Sequence, residues 1–298
     1  MHCIPLLRLY CILPRLQLGR VETFQHLAMS KQAKEGRPSR RQAKKRKNEC
    51  ELNAARAVSR VSKHHAPEGN TSKYFSNKTT DEKRLGRDFF SKPCVTLAKE
   101  LLGKTLIRVL DSGEKLSGTI VETEAYCGKD DTACHSYKGR RTDRNKAMFM
   151  EPGTTYVYLI YGMYCCLNIS SEGEGNAVLI RALETIEGLS EMQVHRQRRR
   201  KETSKPLKPH QLCSGPGKLT DALHITKSQD QTDLVTCPYM WIENGDVTVD
   251  SGEIVSCPRI GLDSVEETWR LKLLRFYICG NKCVSVKNKE AERQIQGI

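Results

Sequence analysis

The chain has 298 residues, 38% of them hydrophobic, with 49 Lys and Arg against 35 Asp and Glu for a formal net charge of +14. That apolar fraction lies below the roughly 45–50% of an ordinary globular chain, so part of the sequence is expected not to fold, while the rest suffices for one large domain or two small ones. The 13 cysteines are odd in number, scattered and without a C-x-x-C pair (Cys279 with Cys283 comes nearest), which argues for reduced thiols over a disulfide or zinc framework.

The charge is unevenly placed. Residues 1–80 hold 17 Lys and Arg and 5 Asp and Glu, leaving 32 and 30 for the remainder. The opening MHCIPLLRLYCILPRLQLGRVETFQHLA has an apolar stretch broken by Arg8 and short of the about 20 residues that span a bilayer, so no membrane insertion is expected. Its arginines Arg8, Arg15 and Arg20 precede the first acid, Glu22, a pattern compatible with a mitochondrial presequence, and no A-x-A site supports secretion. Translation from Met29 would remove this segment. Farther on, RRQAKKRKN (Arg40 to Asn48) reads as a nuclear import signal or as a plain solvated charge run, and in either case would bind polyanions by counterion release. Residues 1–83 are therefore expected to be a disordered basic arm, with the nucleus as destination and the mitochondrion as a second one.

Order is expected from near Leu85, in a domain spanning 84–290 with a flexible end at 291–298. The pattern predicts a helix from Cys94 to Leu102 closed by Gly103, then strands Thr105–Leu110 and Leu116–Tyr126 paired as a hairpin through Asp111-Ser112-Gly113. Alternation along the second strand puts Ile120, Glu122, Glu124 and Tyr126 on one face and Val121, Thr123 and Ala125 on the other. Acid and aromatic thus share a face.

TTYVYLIYGMYCCLNIS (Thr154 to Ser170) is a second hairpin, with Gly162 suited to the first central position of a two-residue type II′ turn and with Tyr161 and Tyr164 flanking the tip. An aromatic tip either inserts into a partner or tucks against the domain. A strict two-residue turn sets Tyr158 opposite Leu167 and turns Asn168 to the other face; both on one face require a bulge or a three-residue loop. NAVLIRALE then reads as an apolar strand interrupted by Arg181, whose burial demands a carboxylate or phosphate. A basic stretch (HRQRRRKETSK), a helix after a Gly-Pro turn (SGPGKLTDALHI) and mixed strands to Val286 complete an α+β domain: a curved, mostly antiparallel sheet with flanking helices and a protruding β-hairpin. No phosphate loop or G-x-G-x-x-G is present.

A carboxylate on a strand face beside aromatics can be a general base, a nucleophile or half of a buried ion pair. Tyr126, His135, Tyr156 and Tyr158 come from separate segments, yet a sheet can gather them into a slot for a planar ring, where stacking on a base contributes roughly 1–3 kcal/mol. His135 beside Cys134 supplies only half of a tetrahedral zinc site, so no metal is expected.

GTIVETEAYCG, AMFMEPGTTYVYLIYGMYCCLNISSEG, VLIRALE, LCSGPGKL, PRIG and LRFY, in this order from roughly Arg84 to Val286, resemble the alkyladenine DNA glycosylases, monofunctional repair enzymes also called 3-methyladenine DNA glycosylases. The resemblance implies Glu124 as the base that activates water, Arg181 as an aid in positioning nucleotide and water, and Tyr126, His135, Tyr158 and Asn168 around a flipped purine, with Asn168 crowding the 2-amino group of guanine. It implies Tyr161 in the gap left in the duplex, with Met163 and Tyr164 against DNA, and a structural Glu122. The expected partner is double-stranded DNA containing damaged purines, acted on by a monomer without cofactor or metal. The rivals are a nucleic-acid-binding protein that kept the fold and lost turnover, and a formyltransferase-like domain, in which the hairpin tyrosines would have no purpose.

Overall fold

A computed structural model describes residues 83–160 and 162–297. The basic arm and the hairpin residue Tyr161, on which several expectations fall, lie outside the described residues.

The chain enters through two short helices, α1 (Arg87–Phe90) and α2 (Cys94–Glu100), and then runs into strands β1 (Thr105–Val109) and β2 (Lys115–Cys127). Strands β3 (Thr155–Ile160), β4 (Tyr164–Ser170) and β5 (Asn176–Glu187) follow, then helices α3 (Leu189–Gln197), α4 (Pro209–Leu212) and α5 (Pro216–Ala222). Strand β6 (Met240–Glu243), strand β7 (Ile254–Cys257), helix α6 (Glu267–Arg270), strand β8 (Arg275–Ile278) and helix α7 (Lys289–Gln296) close the chain. The eight strands form one sheet in the order β3-β4-β5-β2-β1-β6, with β8 pairing both β2 and β7. Every pairing is antiparallel, as expected of an α+β domain whose strands follow one another through short turns.

Helix α2 shows why the core forms where it does. Cys94, Leu97, Ala98 and Leu101 recur at helical spacing, are buried and join the main core cluster with Ile120, Val178 and Ile180 of the central strands. Gly103, at φ +83°, takes the left-handed turn that releases the chain into β1. The helix is fastened to the sheet by the Thr123 hydroxyl, which donates to the Ala98 carbonyl at 2.7 Å. Burying Leu97 and Leu101 contributes on the order of 1.5–3 kcal/mol each, and the smaller Cys94 and Ala98 less.

Alternation along β2 holds only in part. The β2–β5 register shifts between Ile120 and Glu122 and again between Glu122 and Thr123. Ile120 therefore packs in the main core together with Ala125, whereas Val121 packs in a separate cluster with Ala182 and Cys283. The expectation that Ile120 shares a face with Glu122, and Val121 with Ala125, is corrected by this bulge; an extra residue in a strand reverses the facing of everything before it. Glu122, between the two shifts, still shares a side with Glu124 and Tyr126.

The β3–β4 hairpin also departs from the simplest reading. Ile160 pairs with Tyr164 and Tyr158 with Cys166, so the connection is the three residues 161–163 and not a two-residue turn. Met163 N donates to Ile160 O at 3.1 Å, and Gly162 sits at φ +67°. This register places Asn168 opposite Tyr156 and turns it to the same side as Tyr158.

The end expected to be flexible, 291–298, lies largely in α7. Asn288 caps that helix through Oδ1, which accepts from Ala291 N at 3.1 Å, and Ala291 packs on Val255 and Tyr277. The signal was the helical spacing of Ala291 and Ile295 in the otherwise polar KEAERQIQ, and further ties run from Gly280 N to Glu292 Oε1 at 3.4 Å and from Gln296 Nε2 to Cys279 Sγ at 3.8 Å. Among the described residues no helix is long and apolar enough to cross a membrane. Removal of residues 289–298 is expected to cost about 1–2 kcal/mol of stability, read as a lowered Tm in thermal denaturation; an unchanged Tm would show that the helix adds nothing to the fold.

Candidate active site

Two carboxylates leave β2 on the same side, and both are fully buried. Glu122 accepts from Arg181 Nε at 3.0 Å, Arg275 Nη1 at 2.9 Å, Ser285 N at 2.7 Å and Ser285 Oγ at 2.9 Å. Those four donors saturate it, which fits a structural role. Glu124 is held by a different set: Oε1 accepts from Ile260 N at 2.9 Å and lies 3.0 Å from Arg181 Nη1, while Oε2 accepts from the Tyr126 hydroxyl at 2.9 Å. Arg181 therefore bridges both acids, and the anionic partner its burial demanded is protein. Two buried carboxylates facing Arg181 and Arg275 leave no uncompensated charge, the condition under which such groups survive in low dielectric.

Beside this cluster opens a cavity of about 350 Å³, near the lower end of the roughly 300–1,000 Å³ usual for small-ligand sites. Tyr126, His135, Tyr158, Asn168 and Arg181, drawn from four separate segments of the sequence, all line it. The Tyr158 ring stacks on Tyr156 at 5.2 Å and meets His135 edge-on at 4.8 Å. Tyr156 also lines the cavity, though it is almost wholly buried, and its hydroxyl is 2.9 Å from His135 Nδ1. Asn168 is fixed by donating from Nδ2 to the Tyr156 carbonyl at 3.0 Å. The His135 backbone N–H has no protein acceptor among the described residues.

Glu124 itself does not form part of the cavity wall. It lies directly behind it, touched by Tyr126, Arg181 and Ile260, each of which does line the cavity. The carboxylate is thus one side chain deep and close enough for its charge to act on whatever fills the opening.

Proton positions follow from these surroundings. Burial first, then the charge of Glu124, push the Tyr126 phenol well above its ordinary 10.0, so Tyr126 keeps its proton and donates it to Glu124. Burial likewise pushes Tyr156 up to about 12. Loss of water around the His135 ring, and then the Arg144 guanidinium, hold that imidazole below its ordinary 6.5. It is neutral at pH 7.

Residues that the sequence reading left without a role complete the site. Arg259 grips Asp131 with both terminal nitrogens, at 2.5 and 2.9 Å, donates to the Ala125 carbonyl at 3.0 Å and lies 4.7 Å over the Tyr126 ring. It pins the end of β2 to the loop that presents Ile260 N. PRIG, the motif holding both Arg259 and Ile260, was the signal available, but nothing in four residues says which acid they meet. At the hairpin, Met163 and Tyr164 are exposed, with the Arg199 guanidinium 5.1 Å over the Tyr164 ring. Among the described residues no three His, Cys, Asp or Glu side chains gather as metal ligands.

The profile described as "Methylpurine-DNA glycosylase (MPG)" matches residues 88–282, which contain every residue lining the cavity. This chain belongs to that family. It is 50% identical over 224 residues to the DNA-3-methyladenine glycosylase of Homo sapiens, covering 75% of each chain. To the DNA-3-methyladenine glycosylase of Mus musculus it is 51% identical over 225 residues, 75% of this chain and 67% of that protein. To the probable DNA-3-methyladenine glycosylase of Encephalitozoon cuniculi it is 46% identical over 207 residues, 69% of this chain and 95% of that protein. The resemblance carried by VETEAY, the tyrosine hairpin and PRIG is therefore one of family, and the formyltransferase-like alternative falls away.

The depressed His135 pKa makes a signed prediction. In the window below 6.5 the unfolded chain binds this proton more tightly than the folded one, so the contribution to stability falls with acidification and is fully present above that value. An NMR titration should find His135 half-protonated below 6.5, with Arg144→Ala moving the midpoint up; a midpoint at or above the ordinary value in the unsubstituted protein would contradict the assigned environment.

Proposed function

We propose that this chain is a monofunctional DNA glycosylase that hydrolyses the N-glycosidic bond of alkylated or deaminated purines (3-methyladenine, 7-methylguanine, hypoxanthine, ethenoadenine) turned out of duplex DNA. The observation that carries the reading is a carboxylate, Glu124, held by three donors immediately behind an aromatic cavity. Family membership and the names of the relatives support the same chemistry.

Extruding a base from the stack costs a few kcal/mol, least where damage has already weakened pairing, which biases entry toward lesions. Tyr126, His135 and Tyr158 form the electron-rich walls of the cavity, and cation–π attraction to a positively charged alkylpurine contributes about 0.5–2 kcal/mol. A neutral His135 adds no opposing charge. As the glycosidic bond lengthens, positive charge develops on the sugar, and the fixed negative charge of Glu124 stabilises it and polarises a water for attack at C1′. Arg181, bonded to both acids, sets the direction of the Glu124 carboxylate. Cationic bases leave readily; hypoxanthine and ethenoadenine need protonation or hydrogen bonds at the base. Asn168, fixed on the Tyr156 carbonyl, would clash with the 2-amino group of guanine. No lysine lines the cavity among the described residues, which supports excision without strand cleavage. Tyr161, placed by sequence between Ile160 and Gly162, is proposed to fill the gap in the duplex, flanked by Met163 and Tyr164.

The proposed partner is duplex DNA, bound by a monomer, with the basic arm of residues 1–80 adding non-specific affinity and carrying the address to the nucleus and, in part, the mitochondrion.

Single-turnover incubation with a hypoxanthine-containing duplex, scored as abasic product, tests the reaction. Glu124→Gln is expected to lower the rate by about 10²–10⁴-fold while leaving DNA binding intact. Retained excision would strip Glu124 of its role, and binding without excision by the unsubstituted protein would favour the turnover-deficient relative. Asn168→Ser should raise release of guanine relative to hypoxanthine; an unchanged ratio would count against the steric account. Deleting residues 1–80 is expected to flatten the dependence of log K on log salt with little change in single-turnover excision, and an unaltered slope would mean the arm does not contact DNA.

A further inference from the structure

Cys94, the first residue of α2, and Cys127, the last of β2, place their sulfur atoms 3.5 Å apart across 33 positions of sequence. Neither has a role in the proposed reaction. Cys94 is buried against the main core and Cys127 is only half-buried, which makes Cys127 the less shielded residue of the pair. We propose that Cys94 and Cys127 are a modification site, closed by a peroxide into an intrachain disulfide that fastens α2 to the end of β2 and shifts the adjoining wall of the cavity.

The two sulfurs are not equivalent. Cys94 donates its S–H to Cys127, and that hydrogen bond is the largest influence holding the Cys127 thiol below its ordinary pKa, with Arg259 and Lys272 acting the same way. Cys94 is correspondingly raised and keeps its proton, its bond to Cys127 and burial being the causes. Cys127 is therefore the nucleophile and Cys94 the resolving thiol. The Cys127 thiolate attacks one peroxide oxygen; an S–O bond forms, the O–O bond breaks and hydroxide leaves, giving a sulfenic acid. Cys94 sulfur then attacks the Cys127 sulfur; the S–S bond forms, the S–O bond breaks, and the Cys94 proton leaves with the hydroxyl as water. Two thiols are oxidised by two electrons, and hydrogen peroxide is reduced to two waters. Cys134, the other thiol of this region, is turned away, bonded to Ser136 Oγ at 3.0 Å and to the Gly175 carbonyl at 3.7 Å.

Closing the pair from 3.5 Å to a bond of about 2.05 Å brings the sulfurs about 1.5 Å closer, by rotation of the two side chains together with a shift of the adjoining backbone. Helix α2 is locked in the core, whereas Cys127 stands next to Tyr126. The Cys127 N–H donates to Asp131 Oδ2 at 3.0 Å, and Asp131 holds Arg259, which supports Ala125 and the Tyr126 ring. Displacement of Cys127 therefore reaches the residue that donates to Glu124. The disulfide does not depend on the proposed reaction; its effect on excision does.

The experiment oxidises the full chain with hydrogen peroxide, blocks free thiols and digests with trypsin without reductant. Peptide 88–99, with Cys94 as its one cysteine, is expected linked to peptide 116–129, with Cys127 as its one cysteine. The linkage should vanish with dithiothreitol and be absent in Cys94→Ser and in Cys127→Ser, so failure of one variant to fold leaves the other. Excision of hypoxanthine by the linked protein is expected to fall about tenfold or more and to recover on reduction. Cys166 lines the cavity and its oxidation would also slow excision, but Cys94→Ser retains Cys166 and should lose only the reversible component tied to the linkage. Recovery of Cys127 as a sulfinic acid, or joined to Cys134, would overturn the pairing. A linked protein with an unchanged rate would overturn the coupling to the cavity. A protein that forms the link yet excises nothing when reduced would uphold the modification site and remove the proposed reaction instead.

Discussion

The bridge that Arg181 makes between Glu122 and Glu124 governs the arrangement of the rest. Two carboxylates spaced two residues apart on one strand repel each other, and neither tolerates burial alone. With Arg181 between them and Arg275 on the far side of Glu122, the four groups approach neutrality and each has hydrogen-bond partners. The cluster also joins distant parts of the chain, since its members come from β2, β5, β8 and the segment at Ser285. Opening the sheet anywhere near it would leave a charge unpaired in the interior, so the region that holds Glu124 is among the least free to move.

A second ion pair, Arg259 with Asp131, does for the cavity wall what the first does for the acid. Both side chains are fully buried, and Arg259 spans the end of β2, the Tyr126 ring and the loop carrying Ile260. The two pairs meet at Tyr126 and Glu124, one fixing the ring from behind and the other the carboxylate from the side. The hairpin is tied at its base, where Val157 N donates to Asp230 Oδ1 at 2.8 Å and Thr220 Oγ1 donates to the Cys165 carbonyl at 2.9 Å, whereas Leu159, Met163 and Tyr164 toward its tip are exposed, as suits a surface that meets a large partner.

Much of this was legible in the sequence because it followed from period and chemistry. The β1–β2 hairpin, the apolar face of α2 and the need of Arg181 for an anion are local statements, and they hold. What escaped were features decided by tertiary pairing. The irregularity near Val121 cannot be read from alternating residues, because its position depends on how β5 lies beside β2. The three-residue tip was recognisable only as a conflict, since Tyr158 and Asn168 could not share a face across a two-residue turn. Asp131 and Arg259 are 128 positions apart, and nothing in either neighbourhood names the other. Helix α7 was legible and passed over, since Ala291 and Ile295 stand four apart on one face of an otherwise polar segment.

The depth of Glu124 bears on which kind of assistance it can give. A carboxylate open to solvent would have its charge screened and its orientation averaged; this one has one oxygen held by Arg181 and the Ile260 amide and the other by the Tyr126 hydroxyl. Its direction is therefore set before any ligand arrives, and little reorganisation remains when positive charge appears nearby. Tyr126 donates to the oxygen that Arg181 does not engage, so both oxygens are oriented by protein groups. The assistance proposed for a sugar cation thus rests first on the charge and fixed direction of Glu124. In the proposed reaction the aromatic walls and the fixed acid then serve separate ends: the rings would select the base by its charge and shape, and the carboxylate would act on the glycosidic bond.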